Sequence, residues 1–318
     1  MPHYEMSWRL AAIVAACLFA VAGLAWLPRR RPLSLAVPFV REAGLVVGLF
    51  ALWQYAGSFS AMGTAGAMPR AWWIWHAERA WHLPSEGAVQ RLVLPHPLIV
   101  ESFNVYYATM HFTVLIIFLI WLFARHRDHY GQIRIILVGL TAACLLIQLV
   151  PVAPPRMLTG VGLVDTAQVY GQSVYALGGA MADQLSAMPS VHVGWAMLVA
   201  CGTWRATVSR GRWLAVAHAV MTWIVVVATA NHFWLDGIVA AVLLVLAALV
   251  VAAARALRSA LPALRSALPA LRSALPALWP ARPAVPALGT GWSRDLAPPE
   301  SSPDKLSVSA DVRSTGVR

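Results

Sequence analysis

Apolar residues occur in long blocks along the chain, separated by shorter polar segments. Seven of these blocks approach the roughly 20 residues that a helix needs to cross the hydrocarbon core of a bilayer. They occupy residues 8–28, 36–57, 103–124, 134–152, 189–206, 213–229 and 232–254. The last two would form one helix of about 60 Å, twice the thickness of the core, so we predict a turn at the polar residues 229–231. The pattern predicts an all-α, polytopic membrane helix bundle with about seven spans.

The apolar blocks and the longer stretches between and after them divide the chain into four regions. Residues 1–57 hold two N-terminal spans, and residues 103–254 form the membrane core to which we assign the chemistry. Between them, residues 58–102 mix tryptophans with glutamates and arginines, which suits a membrane interface and predicts one or two interfacial helices. The remaining residues, 255–318, form a low-complexity tail.

The tail begins with a repeat. The heptapeptide RSALPAL occurs at 258–264, 265–271 and 272–278. A period of seven is typical of a coiled coil, but the proline in each repeat removes a helix hydrogen bond and argues against one. The end of the chain is rich in proline and serine, so we expect the tail to be disordered and without chemistry.

Composition agrees with a membrane protein. Of the 318 residues, 59% are hydrophobic and 12% are charged, whereas about 25% of the residues in a soluble domain are charged. The net charge of +11 comes almost entirely from arginines that lie between the apolar blocks, which favours membrane orientation over nucleic-acid binding. Cys17, Cys144 and Cys201 lie inside apolar blocks without metal or disulfide spacing, and we expect them to pack as small apolar groups.

The arginines also predict the topology. They cluster at 29–31, 125–134, 205–212 and 255–272, in segments that follow the first, third, fifth and seventh spans. The positive-inside rule makes this side cytoplasmic, so the N-terminus lies outside and the C-terminus inside. The near-absence of lysine and the excess of alanine, arginine and tryptophan are typical of a GC-rich bacterial genome, so we expect a bacterial plasma membrane.

Three polar clusters then fall on the outer side. They are PVAPPRML at 151–158, AMPSVHVGWA at 187–196 and TANHFWLDGIVA at 229–240. Polar and ionisable residues at membrane depth are costly, so they are functional candidates by default. Because the predicted topology brings all three clusters to the same boundary, we expect them to form one site.

The residue types in these clusters suit phosphoryl transfer. His232 and Asp236 are four residues apart, so a helix would place them on one face, where the carboxylate fixes the imidazole tautomer. His192 and Ser190 lie at the predicted start of the fifth span, where helix N–H groups favour a phosphate. Arg156 adds a permanent cation that binds phosphate oxygens in bidentate fashion.

Structural roles are the alternative for single residues. A lone histidine in a membrane helix more often packs than reacts, which applies to His111 and His218. A lone arginine at an interface, such as Arg156, commonly anchors the helix by snorkelling. The agreement of three separate clusters on side and depth favours chemistry for His192 and His232.

At these residues the sequence resembles the type 2 phosphatidic acid phosphatase superfamily. Residues 189–192 match its Pro-Ser-x-His motif, and His232 with Asp236 match the end of its His-x-x-x-Asp motif. Residues 154–156, Pro-Pro-Arg, look like the first motif as it appears in the branch of the inositol phosphorylceramide synthases and inositolphosphotransferases. The likeness extends over about residues 100–250.

The resemblance implies roles for these residues. His232 would be the nucleophile, Asp236 its orienting partner and His192 the acid that protonates the leaving group. Arg156 and Ser190 would bind the substrate phosphate. The family fold is a six-helix membrane core, so the first span would be an addition, and members generally use no metal or other cofactor.

Other residues look like the same branch's pattern. Tyr107 and His111, in the third span, and Asp165, in the loop after the fourth, are candidate pocket residues, and Asn231 beside the nucleophile joins them. The sequence also departs from the family. Val225 and Val226 occupy the region of its Ser-Arg, and Leu149 and Val150 that of its first-motif lysine.

The sequence thus predicts a metal-independent membrane phosphotransferase or phosphatase acting on a phospholipid or lipid phosphate through a phosphohistidine. Water as acceptor gives a phosphatase, and an inositol-like alcohol gives a transferase, which the branch likeness favours. Two other classes stay open. One is a metal-dependent hydrolase with His192, His232 and Asp236 as ligands, and the other is a non-enzymatic transporter or scaffold.

Overall fold

The computed structural model describes residues 7–25, 37–60, 64–171 and 184–278, and these residues are almost entirely helical. The all-α fold class predicted from the sequence is confirmed. The helices of the described residues are α1 Trp8–Ala25, α2 Val37–Ser60, α3 Ala67–Ala80, α4 Glu86–Val93, α5 Pro97–Arg125, α6 Arg127–Gln148, α7 Thr166–Tyr170, α8 Val191–Ala206, α9 Arg212–Ala228 and α10 Trp234–Leu278. A short 3-10 helix, Pro155–Met157, lies between α6 and α7.

Seven of these helices coincide with the seven apolar blocks. Among the described residues, three stretches are long and apolar enough to cross a membrane: Pro97–Arg125, Arg127–Gln148 and Trp234–Pro262. Trp8–Leu24 and Arg212–Ala228 are shorter apolar helices. The protein is therefore an integral membrane helix bundle.

Large apolar side chains on the outside of the bundle fit this assignment. Along α10, Val242, Leu246, Leu249 and Val250 are each more than half exposed. Such a surface would be unstable in water, but it needs no protein cover where lipid tails are the solvent. The exposed faces of the spanning helices are therefore the faces that lipid contacts.

The interior of the bundle is built from α5, α6, α8 and α10. Leu122 on α5 and Leu140 on α6 are fully buried, and they pack with Trp195 on α8 and Leu244 on α10. Trp195 also donates a hydrogen bond from its indole N–H to Thr141 Oγ1 at 2.9 Å, which satisfies its buried polar group. This core fixes the relative positions of the helices whose ends carry the polar clusters.

The predicted turn between the last two spans is present. Helix α9 ends at Ala228 and α10 begins at Trp234, so the chain reverses over a few residues. Ala230 in this turn has φ +52°, a left-handed conformation that costs a residue with a side chain of the order of 1 kcal/mol or more. Contacts with other parts of the chain must therefore hold the turn in this conformation.

Two short helices, α3 and α4, occupy the region for which interfacial helices were predicted. Ser85 is the N-cap of α4, and its side chain accepts from the N–H of Ala88. Ala67, Ala71 and Ile74 on α3 are buried against Val152 and Phe233. The Trp-rich segment therefore packs on the same end of the bundle as the polar clusters.

The structure differs from the sequence expectation in the repeats. Helix α10 continues through all three RSALPAL repeats to Leu278, where an irregular chain was expected from residue 255. The alanine, leucine and arginine residues of the repeats have high helix propensity, whereas each proline removes one helix hydrogen bond. The chain divides into two compact units, Met1–Leu261 and Pro262–Arg318. Residues 279–318 and the arginines at 29–31 lie outside the described residues.

Candidate functional site

The structure brings the three polar clusters together through backbone hydrogen bonds. Val152 and Ser186 form an isolated parallel β-bridge, which joins the first cluster to the second. The N–H of Arg156 donates to the carbonyl of Ala230 at 3.0 Å, which joins the first to the third. The N–H of Ser190 donates to the carbonyl of Asp236 at 3.1 Å and completes the set.

His232 and Asp236 form the centre of this arrangement. His232 Nδ1 lies 2.7 Å from the carbonyl oxygen of Ala187 and 3.3 Å from Asp236 Oδ2. Asp236 Oδ2 also accepts from the backbone N–H of Phe233 at 2.9 Å. The aspartate is fully buried, and only 4% of His232 is exposed. Both residues are therefore held rigidly.

The pair does not share a helical face as the sequence predicted. His232 lies in the turn, two residues before α10 begins, and Asp236 lies in the first turn of that helix. The carboxylate reaches back to the N–H of Phe233, as acidic side chains do in a capping box. The four-residue spacing therefore brings the two groups together through a helix cap.

The contacts of His232 determine its tautomer. A carbonyl oxygen only accepts, so Nδ1 must carry the hydrogen that it donates to Ala187. In the neutral ring, Nε2 then carries a lone pair. Nε2 is buried and has no hydrogen-bond partner among the described residues. It is the atom of this ring that can attack a substrate.

His192, the second residue of α8, lies near the ring of His232. The rings of His192 and His232 are 5.5 Å apart between centroids, close enough for both to contact one bound phosphate group. Ser190 is the N-cap of α8, and its side chain accepts from the N–H of Val193. The positive end of the α8 dipole therefore points at the same place as the two imidazoles.

Arg156 joins the site from the 3-10 helix after α6. Its Nη1 donates to Asn231 Oδ1 at 2.6 Å, and its Nε lies 3.2 Å from Asp165 Oδ2. Only 4% of the arginine side chain is exposed, against 31% for Asp165. The arginine is thus fixed next to His232 through Asn231, the residue before it, and the aspartate covers it from the solvent side.

The third span contributes two aromatic residues predicted for the pocket. Tyr107 stacks on His192 with ring centroids 4.3 Å apart, and His111 lies 4.2 Å from the same ring. His111 Nδ1 lies 3.1 Å from the carbonyl oxygen of Tyr107 one turn earlier. The structure therefore brings Tyr107 and His111 together with the histidine pair. They pack around His192 on the side of α5.

Tyr106, His218 and Thr222 form a hydrogen-bonded group next to Tyr107 and His111. The Tyr106 hydroxyl lies 2.6 Å from His218 Nδ1 and 3.2 Å from Thr222 Oγ1. A small cavity beside them is lined by Tyr106, Tyr107, His111, His192, Thr222, Val225 and Val226. Val225 and Val226, which the sequence comparison placed in the region of the family's Ser-Arg, contribute apolar side chains to this cavity.

Two buried glutamates were not predicted. Glu78 on α3 and Glu86 on α4 are fully buried, and Glu78 Oε1 accepts from the N–H of Leu235 at 2.7 Å. The sequence contained a signal for them, namely two acidic residues in a Trp-rich segment, because acidic residues are rarely buried without a partner. Only the folded chain shows that the partner is the helix that carries Asp236.

Among the described residues, no group of three or more His, Cys, Asp or Glu side chains is arranged to hold a metal ion. Cys144 is buried in the bundle core, whereas Cys17 and Cys201 are exposed.

An imidazole oriented by a carboxylate, a second imidazole beside it and a buried arginine are typical of enzymes that act on phosphoric esters. Located at one end of an apolar bundle, they fit an integral membrane enzyme of the phosphatase or phosphotransferase type. The family model of the PAP2 superfamily matches residues 72–250, more than half of the chain, and the protein belongs to this superfamily. No curated protein and no solved structure matches the chain significantly.

Proposed function

We propose that the protein is a lipid phosphotransferase or phosphatase that works through a phosphohistidine on His232. The observation that carries this proposal is the buried, partnerless Nε2 of His232, opposite an Nδ1 that is held by Ala187 and Asp236. A ring held in one tautomer presents its other nitrogen as a ready nucleophile.

In the first step His232 Nε2 attacks phosphorus and the ester oxygen leaves. The developing positive charge on the ring is balanced by Asp236, which lies 3.3 Å from Nδ1. His192 is the acid that protonates the leaving oxygen, and its ring centroid lies 5.5 Å from that of His232. A general acid of this kind contributes a factor of about 10² to 10⁴ to the rate.

Arg156 and the start of α8 would hold the phosphate. The guanidinium carries a charge that no accessible pH removes, and α8 presents N–H groups and the positive end of its dipole. Asp165 contacts the arginine in the structure at 3.2 Å. A phosphate that enters the site competes with this carboxylate for the guanidinium.

In the second step an acceptor oxygen attacks the phosphohistidine and frees His232. His192, now unprotonated, takes the proton of water or of an alcohol. When the donor is a phosphomonoester, water produces free phosphate, and an alcohol, either a polyol such as inositol or a lipid alcohol, produces a new phosphoester. The Pro-Pro-Arg form of the first motif supports the transferase, as does the pair Tyr107 and His111 beside His192.

The substrate would enter from the lipid, with its head group at the extracytoplasmic surface. Lipid-contacting helices surround the described bundle, so an acyl chain can reach the site without leaving the bilayer. The arginine pattern of the links, including those at 125–134 and 205–212, supports an N-out, C-in orientation with the site outside.

The decisive measurement is product formation by purified protein in EDTA. Phosphatidic acid is offered alone, and phosphatidylinositol is offered with a lipid alcohol. We expect the wild type to release phosphate or to form a new phospholipid, and His232→Ala to lower the rate by about 10³-fold or more, because the nucleophile is gone. Denatured wild type quenched during turnover should carry phosphate on histidine.

His129→Ala is the matched control, because His129 lies at the start of α6, among the predicted cytoplasmic arginines. It should keep the wild-type rate. Full activity of His232→Ala would reject the phosphohistidine mechanism. Loss of wild-type activity in EDTA, restored by zinc, would favour the metal-dependent hydrolase.

A further inference from the structure

The fully buried carboxyl group of Glu78 lies outside the proposed catalytic set but contacts the helix that carries it. Glu78 is on α3, and its Oε1 accepts from the backbone N–H of Leu235 at 2.7 Å. Leu235 precedes Asp236 and belongs to the first turn of α10, whose N–H groups have no partner within the helix. Glu78 thus caps the helix start on which the aspartate lies.

A second carboxyl group shares this position. Glu86, on α4, is also fully buried, and its carboxylate contacts the same Arg79 nitrogen as the carboxylate of Glu78. Arg79 Nη2 lies 2.6 Å from Glu86 Oε2 but 3.7 Å from Glu78 Oε2, so the arginine pairs with Glu86. Arg79 is itself held by stacking over Trp75 at 4.2 Å.

One proton completes the network. Glu78 Oε2 and Glu86 Oε1 are buried and have no hydrogen-bond donor in the described part of the chain. Two carboxylates in contact repel each other, and a proton on one of them turns the repulsion into a hydrogen bond. Since Arg79 neutralises Glu86, the proton belongs on Glu78.

We infer that Glu78 is a positioning residue of the active site: as a neutral acid bonded to Glu86, it anchors the first turn of α10 through Leu235 and keeps negative charge away from Asp236. This inference deepens the proposed function and rests on it for its catalytic part. According to this inference, the interfacial helices α3 and α4 hold α10, and Asp236 on α10 orients the nucleophile.

The titration of Glu78 agrees with this geometry. Burial, followed by the hydrogen bond and charge of Glu86 and the charge of Asp236, raises the pKa of Glu78 from 4.5 to about 9. The hydrogen bond from Leu235 acts in the opposite direction. The charged groups that face Glu78 are thus Glu86 on α4, Arg79 on α3 and Asp236 on α10.

The protonation of Glu78 makes the stability of the protein depend on pH. An unfolded chain releases the Glu78 proton near pH 4.5 and the folded protein near pH 9, so between these values the folded state binds more protons. The stabilising contribution of the neutral acid is complete below pH 4.5 and is lost as the pH rises towards 9. Above pH 9 the charged Glu78 faces Asp236 and Glu86, and activity should fall.

The test compares Glu78→Gln with Glu78→Ala. The glutamine amide can accept from Leu235 and donate to Glu86, so it mimics the neutral acid and cannot ionise. We expect Glu78→Gln to keep kcat within about threefold of the wild type at pH 7 and to lose the decline above pH 9. Glu78→Ala should lower kcat by about 10- to 100-fold with little change in KM, as is common when a group that orients a functional residue is removed.

A readout without catalysis separates this inference from the proposed function. Thermal unfolding in detergent should show the wild type losing stability between pH 5 and 9 relative to Glu78→Gln. Glu101→Gln on α5 is the matched control and should behave like the wild type. The inference is overturned if Glu78→Gln loses as much kcat as Glu78→Ala, if it keeps the wild-type alkaline decline, or if its unfolding shows the wild-type pH dependence. Full activity of His232→Ala would instead reject the proposed function, whatever Glu78 does.

Discussion

The Asp236 carboxylate has two partners that a surface aspartate would not combine. It caps α10 by accepting from the N–H of Phe233, and it contacts Nδ1 of His232 with the same oxygen. Because the cap fixes the carboxylate, the histidine that it faces is fixed as well. Asp236 therefore couples the start of a helix to the orientation of the proposed nucleophile.

The contacts of Arg156 depend on the planar shape of its guanidinium group as well as on its charge. Its guanidinium contacts Asn231 through Nη1 and Asp165 through Nε, which a lysine ammonium on a flexible chain cannot reproduce. Arg156→Lys keeps the charge but loses at least one charge-assisted hydrogen bond, about 1.5–3 kcal/mol. We expect kcat/KM to fall by about 10- to 100-fold.

The measurement is steady-state kinetics with the substrate identified by product analysis. Arg125→Lys, an exposed arginine at the end of α5, is the control and should leave kcat/KM unchanged. If both lysine variants behave like the wild type, Arg156 is an anchor at the membrane surface and not a phosphate contact.

At the scale of elements, α9 and α10 must approach closely for the turn between them to hold His232. Gly237 lies in the first turns of α10 against the ring of Trp223 on α9. A Cβ at Gly237 would lie 2.8 Å from Trp223 Cε2, nearer than side-chain atoms approach. The glycine thus permits the contact between the two helices beside the site.

Gly237→Ala should therefore force α9 and α10 apart. Inserting a methyl group into a packed contact costs about 1–3 kcal/mol, so we expect a lower unfolding temperature and reduced activity. Gly139→Ala on α6 is the matched variant, because its Cβ would lie 3.7 Å from Ala247, an ordinary contact. It should be neutral or stabilising, by about 0.5–1 kcal/mol at most. Equal stability of the two variants would show that the ring of Trp223 moves aside freely.

At the scale of the whole molecule, two turns should lie on opposite sides of the membrane. Thr159, exposed after the 3-10 helix, belongs to the side of the site, and Val208 is 89% exposed between α8 and α9. In a background without the three native cysteines, Thr159→Cys should react with an impermeant maleimide added to whole cells. Val208→Cys should react only after the membrane is opened. The reverse pattern would contradict the N-out, C-in orientation.

Much of the fold follows from the sequence because a bilayer restricts the choices. A backbone in hydrocarbon must satisfy its hydrogen bonds within each segment, so apolar runs of spanning length become helices. This constraint accounts for the helices at the seven apolar blocks and for the break near Thr229. The constraint does not apply outside the bilayer. In the repeats, helix α10 continues to Leu278 although each repeat contains a proline.

The sequence by itself determined the fold class, the family and the residues that meet at one end of the bundle, since spacing and polarity at membrane depth mark His192, His232 and Asp236. Only the tertiary structure decided how they meet. The hydrogen bond of His232 to Ala187 and the capping of α10 by Glu78 join residues far apart in the chain. Such contacts depend on how helices pack, and no local pattern of residues encodes them.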